Sequence, residues 1–380
     1  MDFSMNDEQR MLSDSLDRLL ADCGHSDPRK TVTAGSKAGG SNGAWQALCE
    51  LGLPAMPFSE EVGGMNASAT DMVMAMTAFG RHGSLEPAIV SIFVAGLLLR
   101  EYPADPALAT LKESLVQGDA KVAFALAETT GRYEPTRIAS KAERTGTGYI
   151  LSGSKAVVLG GDEADRFLIS ANTSGDGGER PGLSLFLVDR SAQGLTVINQ
   201  RLIDGRGAAD LHFSGLAIGQ DARVGPDGRA IDMVECINDI AALGLAADAL
   251  GAVERINSLT LEYLQMRHQF GRPIGSFQTL QHRMVDMVHE YEHLKSLVYI
   301  AAARWNSGDV TERKRSVSAV KRFLGTRSRA AAADAIQMHG AIGMTQEYEL
   351  GRCVKRVLVA DMLFGNADHH VERLGALLCA

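Results

Sequence analysis

The chain has 380 residues, of which 45% are hydrophobic and 22% charged, and its formal net charge is −8 at pH 7. This length exceeds what one hydrophobic core usually accommodates, so it predicts two or three folded domains rather than a disordered chain. An acidic chain without a basic stripe is unlike nucleic-acid binders, which must neutralise phosphates. We therefore expect a globular protein with no nucleic-acid partner.

Cysteine usage and hydropathy bear on the compartment. The five cysteines are scattered, odd in number and never in a Cys-x-x-Cys pair, which is typical of reduced thiols and predicts a cytoplasmic protein. The longest strongly apolar run, Pro87 to Leu99, has 13 residues, fewer than the roughly 20 that span a bilayer. The acidic N-terminal segment lacks the apolar core of a signal peptide. We therefore expect neither export nor a membrane segment.

Helical periodicity dominates the first third of the chain. Asn6 can cap a helix with one apolar stripe, and Gly24 can end that helix. Ser68 or Thr70 can cap a later helix. Residues 1–119 are therefore predicted to form an all-α N-terminal domain.

The pattern then changes twice. Short β-rich runs bounded by Gly and Asp predict a small β-barrel or sandwich over residues 120–226. Residues 227–380 return to long helical patterns and are predicted to form a four-helix bundle, because one stretch keeps a four-three apolar spacing: Leu280, Met284, Met287, Tyr291, Leu294 and Val298. The fold class is therefore α+β and multidomain. Its order, helices then strands then helices, disfavours a doubly wound nucleotide fold.

The sequence His289-Glu-Tyr-Glu-His293 satisfies the His-Glu-x-x-His pattern of zinc peptidases, which places two imidazoles on one helical face. It also satisfies the inverted His-x-x-Glu-His form. No third ligand follows at a suitable spacing, and the surrounding helix has bundle periodicity. A zinc hydrolase is therefore a remote alternative, and we predict no metal site.

Two further segments have a distinctive joint spacing. One is Arg-x-x-Phe-Gly with a Gln eight residues after the Phe, and the other is Gln-x-x-Gly with a Gly three residues later. Their members are Arg267, Phe270, Gly271, Gln278, Gln337, Gly340 and Gly343, with Ala341 after Gly340. Together they strongly resemble the flavin-binding segments of the acyl-CoA dehydrogenases, and the order of helical and β-rich regions agrees over nearly the whole chain.

The resemblance implies the acyl-CoA dehydrogenase fold, an FAD cofactor, an acyl-CoA substrate and an acceptor such as electron-transfer flavoprotein. In that family these residues reach across a dimer interface to the adenine and pyrophosphate half of FAD. Arg267 offers a multi-donor fork for the pyrophosphate, and Phe270 offers an aromatic surface. Gln278 and Gln337 offer amides, while Gly340 and Ala341 permit close backbone approach.

Other positions depart from the family. Glu128 is retained, but Val157 and Leu159 stand where a flavin-stacking Trp and a hydrogen-bonding Thr are usual. Counted without gaps, the Glu that removes the substrate's α-proton falls on Phe364, and the Thr that follows it falls on Asn366. An alternative location of the base falls on Ala241. Asp248, about two turns along the same helix, is a weak candidate base and is otherwise a paired helix carboxylate.

Two segments carry a narrower resemblance: Glu-Thr-Thr-Gly-Arg-Tyr-Glu-Pro at 128–135 and Phe-Gly-Asn-Ala-Asp-His-His at 364–370. Together they resemble the small subunit of pimeloyl-CoA dehydrogenase, and related two-subunit dehydrogenases of steroid degradation form mixed dimers. The sequence therefore favours a subunit without the usual base, paired with a second acyl-CoA dehydrogenase subunit that carries it. The alternative is a self-sufficient, homo-oligomeric dehydrogenase with Asp248 as an unusual base. Ala241 and its small neighbours would leave room for a bulky acyl group.

Overall fold

The computed structural model describes residues 6–23, 43–134, 137–173 and 182–379. The predicted helix end at Gly24 lies outside these residues. The chain divides into two compact units, one made of Met1–His25, Ser68–Ser84 and Ala242–Ala380, the other of Ser26–Ala67 and Leu85–Ala241. Each unit therefore combines segments that are distant in sequence. The limits of the three predicted domains remain predictions.

Helices occupy both ends of the described chain. In chain order they are α1 (Asp7–Asp22), α2 (Ala44–Glu50), α3 (Ala69–His82), α4 (Ala95–Glu101), α5 (Pro106–Gln117), α6 (Ile231–Met266), α7 (Gln278–Trp305), α8 (Val310–Phe323), α9 (Arg329–His339), α10 (Leu350–Met362) and α11 (Ala367–Cys379). A π-helical turn, Ile89–Val94, leads into α4, and another, Leu324–Ser328, joins α8 to α9.

Strands fill the middle of the described chain. They are β1 (Val122–Ala125), β2 (Lys141–Arg144), β3 (Gly148–Leu159), β4 (Arg166–Asn172), β5 (Leu183–Asp189), β6 (Leu195–Arg201), β7 (Gly207–Gly219), β8 (Arg223–Val224), β9 (His268–Gln269) and β10 (Arg272–Pro273).

The first of the two units, the helical unit, begins with two capped helices. Asn6 and Gln9 form a capping box at α1, and Ser68 and Asp71 form another at α3, so Ser68 rather than Thr70 is the cap. Each box satisfies two backbone donors that a helix N-terminus otherwise leaves unpaired. The Gln9 amide also donates to Asp71 at 2.7 Å, which joins the two helix starts.

The predicted stripe of α7 forms part of the helical core. Met284, Met287, Leu294 and Val298 are buried, at 9%, 1%, 0% and 0% exposure. The other two members of the stripe, Leu280 and Tyr291, are half-buried. This confirms the interpretation of the four-three spacing.

The second unit is built around an eight-stranded sheet in the order β6-β7-β3-β2-β4-β5-β8, with β1 added in parallel to β4. The longest antiparallel pair, β3 with β7, is irregular between Leu151 and Gly153 and between Lys155 and Val158. Apolar residues of its central strands, such as Phe167 and Phe186, form the core of the sheet. The predicted small β-domain is therefore confirmed.

α6 is the only helix of the described residues long and apolar enough to span a membrane, and 94% of its most apolar 18-residue window is buried. It therefore serves as a core helix. The apolar run Pro87 to Leu99 forms the buried π-helical turn and most of α4. The five cysteines are all among the described residues, and none of them forms a disulfide there.

Candidate functional site

The connection between α6 and α7 is a tight hairpin that presents Phe270 at its tip. β9 and β10 pair antiparallel, and the two residues between them, Phe270 and Gly271, have φ of +54° and +80°. Positive φ at both central residues is the geometry of a two-residue hairpin turn, but it strains a bulky residue. Phe270 is also 92% exposed, so its ring gains little from the interior of this chain. A strained and exposed aromatic residue indicates a binding role.

The polar residues of the predicted half-site share one property. The side chains of Arg267, Gln278 and Gln337 are exposed, and within the described chain none forms a hydrogen bond or an ion pair. By contrast, neighbouring Arg272 lies 4.1 Å over the Phe277 ring. One cation and two amides are thus available to an external ligand.

Contacts between α6 and α9 bring the two sequence segments of the half-site to one end of the helical unit. The rings of Tyr263, on the last turn of α6, and His339, the last residue of α9, stack at 4.6 Å. Arg267 follows Tyr263 by four residues, and Gly340 follows His339 directly. Gly340 has a φ of +65° and nothing within 4 Å of where a side chain would begin. The backbone there is accessible, as is that of exposed Ala341.

His339 is fixed by three interactions. Its Nδ1 donates to the Ala335 carbonyl at 2.8 Å, so its Nε2 accepts from the Tyr348 hydroxyl at 3.3 Å. Burial lowers the pKa of this imidazole, which favours the neutral ring that this pattern requires. The last turn of α9, with Gln337 on it, is therefore held rigidly.

The turn between α10 and α11 carries Phe364 and Asn366. Phe364 has a φ of +54° and Gly365 one of +99°. The Asn366 side-chain oxygen accepts from the His369 backbone at 3.0 Å and so caps α11. Asn366 thus has a structural role that the sequence reasoning did not anticipate, beside its predicted contact with a flavin.

Two buried side chains hold this turn. The Lys321 ammonium donates to three carbonyls at the end of α10, those of Ala360, Asp361 (3.1 Å) and Leu363 (2.9 Å). Three acceptors match the three donors of an ammonium. Burial lowers the pKa of Lys321, whereas these carbonyls and the C-terminal end of the helix favour its charge.

His370 supports the turn from the other side. Burial, followed by the nearby Lys321, lowers its pKa to about 2, so the ring is neutral. Its Nε2 donates to the Phe364 carbonyl at 3.1 Å, and its Nδ1 therefore accepts from Ser318 at 3.1 Å. Phe364 occupies a rigid, strained turn rather than a loose loop.

The two remaining candidate positions for a base lie on α6. Ala241 is 1% exposed and carries no ionisable group. Asp248 is fully buried, and both of its oxygens accept from Arg356, at 2.8 and 2.6 Å. Arg356 donates in addition to the Ser84 carbonyl at 2.8 Å. The geometry around Asp248 is that of a buried structural ion pair.

Strand β3 has a bulge at the position of the usual flavin-stacking residue. Val157 has a φ of +53°, which is rare for a β-branched residue, and it is 45% exposed. Its backbone N–H donates to the Asp210 carboxylate of β7 at 2.8 Å. The bulge is thus fixed from the neighbouring strand, while the side chain it presents has no hydrogen-bonding group.

Glu128 lies in a buried network of the same unit. Lys155 donates to Glu128 at 2.7 Å and to Ser170 at 3.0 Å, and Glu128 also accepts from the backbone of Ala139 and Ser140. Burial lowers the pKa of Lys155 to about 8, although Glu128 opposes this shift. These contacts pin the loop after β1 onto β3.

The remaining sequence motif does not form a metal centre. His289 and His293 are exposed on α7, and His293 lies edge-on to Phe323 at 6.1 Å. In the residues described, no group of three or more His, Cys, Asp or Glu side chains is placed to hold a metal ion. The contacts of these histidines are those of an ordinary helix surface.

Sequence reasoning did not identify Lys321, Asp210 or Lys155. Each acts on a residue far along the chain, as when Lys321 binds Leu363, 42 residues away. For Lys321 the sequence offers one signal, a lysine beside apolar residues of the same helix. Such lysines are common on helix surfaces, so the signal does not identify a buried ammonium.

Comparison with known proteins completes the assignment. Models of the N-terminal, middle and C-terminal domains of acyl-CoA dehydrogenase match residues 6–102, 123–216 and 236–378. The chain belongs to the acyl-CoA dehydrogenase family. An acyl-CoA dehydrogenase of Bacillus subtilis (strain 168) is 27% identical to it over 328 residues, which cover 85% of each chain.

Solved structures of the family agree in fold and cofactor. A Tcur3481–Tcur3483 steroid ACAD variant is 25% identical, with a TM-score of 0.85 and 98% of each chain covered. PigA with FAD and proline is also 25% identical, with a TM-score of 0.89 over 100% of this chain and 99% of PigA. This acyl-CoA dehydrogenase family member has the three-domain fold and is a flavin-dependent oxidoreductase that uses FAD.

Proposed function

We propose that this acyl-CoA dehydrogenase family member is the subunit without the catalytic carboxylate in a heteromeric enzyme that desaturates an acyl-CoA thioester. Its partner is a second acyl-CoA dehydrogenase subunit that supplies the base and most of the flavin site. The family reaction removes an α-proton and transfers the β-hydride, which bound FAD accepts. The reduced enzyme then passes electrons to electron-transfer flavoprotein or a similar acceptor.

The observation that carries this proposal is the contrast between the two halves of the predicted flavin site. Arg267, Gln278 and Gln337 are exposed and have no intramolecular partner among the described residues, and Phe270 is strained and exposed. These residues suit the adenine and pyrophosphate half of an FAD held by another subunit. Gly340 and Ala341 leave the adjoining backbone open.

The residues expected at the flavin ring do not suit that role. Val157 and Leu159 have apolar side chains, and the Val157 N–H is already used by Asp210. Asn366 can offer its amide nitrogen, but its oxygen caps α11. Contact with the ring from this chain alone is therefore poor, which favours a site completed by a partner.

The candidate bases lead to the same conclusion. Phe364 and Ala241 cannot accept a proton. Asp248 is buried, and two nitrogens of the Arg356 guanidinium donate to its two oxygens. A substrate therefore cannot reach this carboxylate, and neither oxygen is available to accept the α-proton. This argues against a self-sufficient enzyme with Asp248 as base.

The similarity to the Tcur3481–Tcur3483 steroid ACAD supports an assembly of two different subunits and a bulky acyl group. Ala241, Ala242 and Gly244 would leave space for such a group along α6. A cytoplasmic location agrees with five cysteines that form no disulfide among the described residues. Co-expression with the product of the neighbouring gene tests whether that product is the partner.

The test is subunit composition together with FAD counting. We expect the chain alone to retain little FAD and to oxidise no acyl-CoA, whereas the co-expressed complex is yellow, active and holds fewer than one FAD per chain. Arg267→Gln in this chain should lower FAD retention in the complex at least tenfold, while Arg322→Gln at another exposed site should not. A homodimer of this chain with one FAD per chain and full activity would contradict the proposal.

A further inference from the structure

A small cavity lies inside the unit that contains the sheet, where three segments of that unit meet. The first segment runs from Leu85 into the π-helical turn, the second is the end of β3 with the loop after it, and the third is the entry into β7. The cavity measures about 20 Å³, which is room for about one water molecule. Its possible occupants are therefore a single water molecule or a single small ion.

Asp162 gives this cavity a polar wall. The residue is 5% exposed, and its Oδ2 is buried with no hydrogen-bond partner among the described residues. A buried carboxylate oxygen without a donor costs free energy, because nothing compensates for the loss of its hydration. Polar groups of this kind commonly bind an ordered internal water. A donor from solvent is thus the natural partner of this oxygen.

The loop that carries Asp162 is held in place. Arg190 donates to the Gly161 and Ala164 carbonyls on either side of it, at 2.7 and 3.0 Å. The Asp162 carboxylate lies against Gly207, where any side chain would begin about 2 Å from its oxygens. Asp162 therefore cannot turn outwards to bulk solvent, and its donor has to come to it.

The other charges around the cavity distinguish a water from an ion. Arg206 and Glu86 line the cavity and are buried, at 3% and 6% exposure. The Arg206 Nε donates to Asp204 at 2.7 Å, and Glu163, also on the wall, pairs with Lys121 at 2.5 Å. A metal cation here would face a guanidinium, and an anion would face carboxylates. A neutral molecule that both donates and accepts suits walls of both signs.

The ionisation of Asp162 favours the same occupant. Burial, and then the nearby Glu163, raise the pKa of Asp162 to about 6, so both of its charge states occur near neutral pH. A water molecule can donate to the carboxylate and can accept from the carboxylic acid. A cation suits only the first of these states.

We propose that this cavity is a binding site for one buried water molecule, which donates to the Asp162 carboxylate and accepts from the Arg206 guanidinium. These two side chains belong to different segments, so the water links the loop after β3 to the entry into β7. Loss of the water would leave a buried carboxylate oxygen without a donor. The site does not depend on the heteromer, because all of its residues belong to one unit of this chain.

Two measurements on the purified full-length chain detect this water. A high-resolution crystal structure should show one water within about 3.2 Å of both Asp162 Oδ2 and an Arg206 nitrogen. Oxygen-17 relaxation dispersion should count one long-lived internal water fewer in Asp162→Leu than in the wild type, because leucine offers no acceptor. Asp162→Asn retains a side-chain carbonyl and should keep the water. The exposed control Asp189→Asn should leave the count unchanged.

A cavity-filling variant tests the same site through stability. Val90 lines the cavity, so the extra methylene of Val90→Ile must displace the water and leave Asp162 without its donor. We expect Val90→Ile to unfold at a lower temperature than Val94→Ile, a matched buried control on the same π-helical turn that does not line the cavity. If the cavity were dry, the added methylene would fill empty space and Val90→Ile would unfold at an equal or higher temperature.

Other results would also overturn the proposal. A cavity without electron density would refute the water, and several oxygen ligands at about 2.4 Å around the peak would identify a metal ion instead. An unchanged water count in a folded Asp162→Leu would place the lost water elsewhere. If Asp162→Leu does not fold, the water count of Val90→Ile serves in its place. None of these outcomes depends on the FAD content of the complex.

Discussion

Arg356 donates two hydrogen bonds, of 2.8 and 2.6 Å, to the Asp248 carboxylate inside the helical unit. The Arg356 side chain is only 4% exposed there and that of Asp248 is 0% exposed. The pair joins α10 to the middle of α6. Because Arg356 also donates to the Ser84 carbonyl, the same guanidinium fixes the second residue after the end of α3. A carboxylate in this setting stabilises the fold rather than moving protons.

The first prediction concerns this pair. Asp248→Asn should lower the free energy of unfolding by roughly 3 to 5 kcal/mol, because it leaves a buried guanidinium without its counter-charge. Arg356→Met should have a similar effect, and the double variant Asp248→Asn/Arg356→Met should lose clearly less than the sum of the two single variants. Urea denaturation measures all three.

The activity of Asp248→Asn separates structure from catalysis. In the reconstituted complex at low temperature, activity should follow the folded fraction of the variant. A folded complex whose acyl-CoA oxidation falls by several orders of magnitude would restore Asp248 as the base.

Lys321 gives the second prediction. Lys321→Met should lower the free energy of unfolding by about 3 kcal/mol, since three carbonyls at the end of α10 lose their donor in a buried place. Lys355 is exposed on α10 itself, and Lys355→Met should change the free energy of unfolding by less than about 0.5 kcal/mol. Equal effects of the two variants would show that the buried ammonium does not hold the turn.

The third prediction follows from the pKa of Asp162. Its value of about 6 lies above the unfolded value of 3.8, so the folded state binds the proton more tightly and loses stability as the pH rises through this interval. Asp162→Asn removes that cost. It should therefore stabilise the protein, and the gain should grow by about 1 kcal/mol between pH 5 and pH 7.5. Thermal unfolding across this range measures it, with Asp189→Asn as control, and a gain that shrinks with pH would contradict the assignment.

The fourth prediction separates strain from binding at Phe270. Phe270→Gly should leave the free energy of unfolding unchanged or raise it by up to about 1 kcal/mol, because glycine adopts positive φ without a steric penalty. The same change should weaken FAD retention by the complex at least tenfold. Met11→Ala, at another exposed apolar residue, should affect neither measurement, and FAD retention at the wild-type level in Phe270→Gly would exclude Phe270 from the flavin site.

Much of the fold could be predicted from local patterns. The α7 stripe and the Ser68 cap are short-range features, and both are found in the structure. β2 and β6 are harder to predict from local patterns, because most of their side chains are exposed or half-buried and show no continuous apolar run. They belong to the sheet through pairing with distant partners.

Some residues of the candidate site could likewise be predicted from the sequence, whereas the surroundings of others could not. Arg267 and Phe270 could be proposed because their motif resembles that of the family, and their availability on the surface of this chain agrees with that proposal. The environment of Asp248 could not be predicted, since Arg356 lies 108 residues further along the chain. Nor could the solvation of Asp162 be predicted, because it depends on three segments that meet only in the folded unit.

The stack of Tyr263 on His339 has a consequence for how tightly FAD can be held. Because this contact ties the ends of α6 and α9 together, and the Tyr348 hydrogen bond fixes the His339 ring, the hairpin with Phe270 and the segment with Gln337 form one rigid platform. A ligand that touches both need not order either of them, because that ordering was completed when the chain folded. The aromatic pair thereby adds affinity for a cofactor that it need not touch.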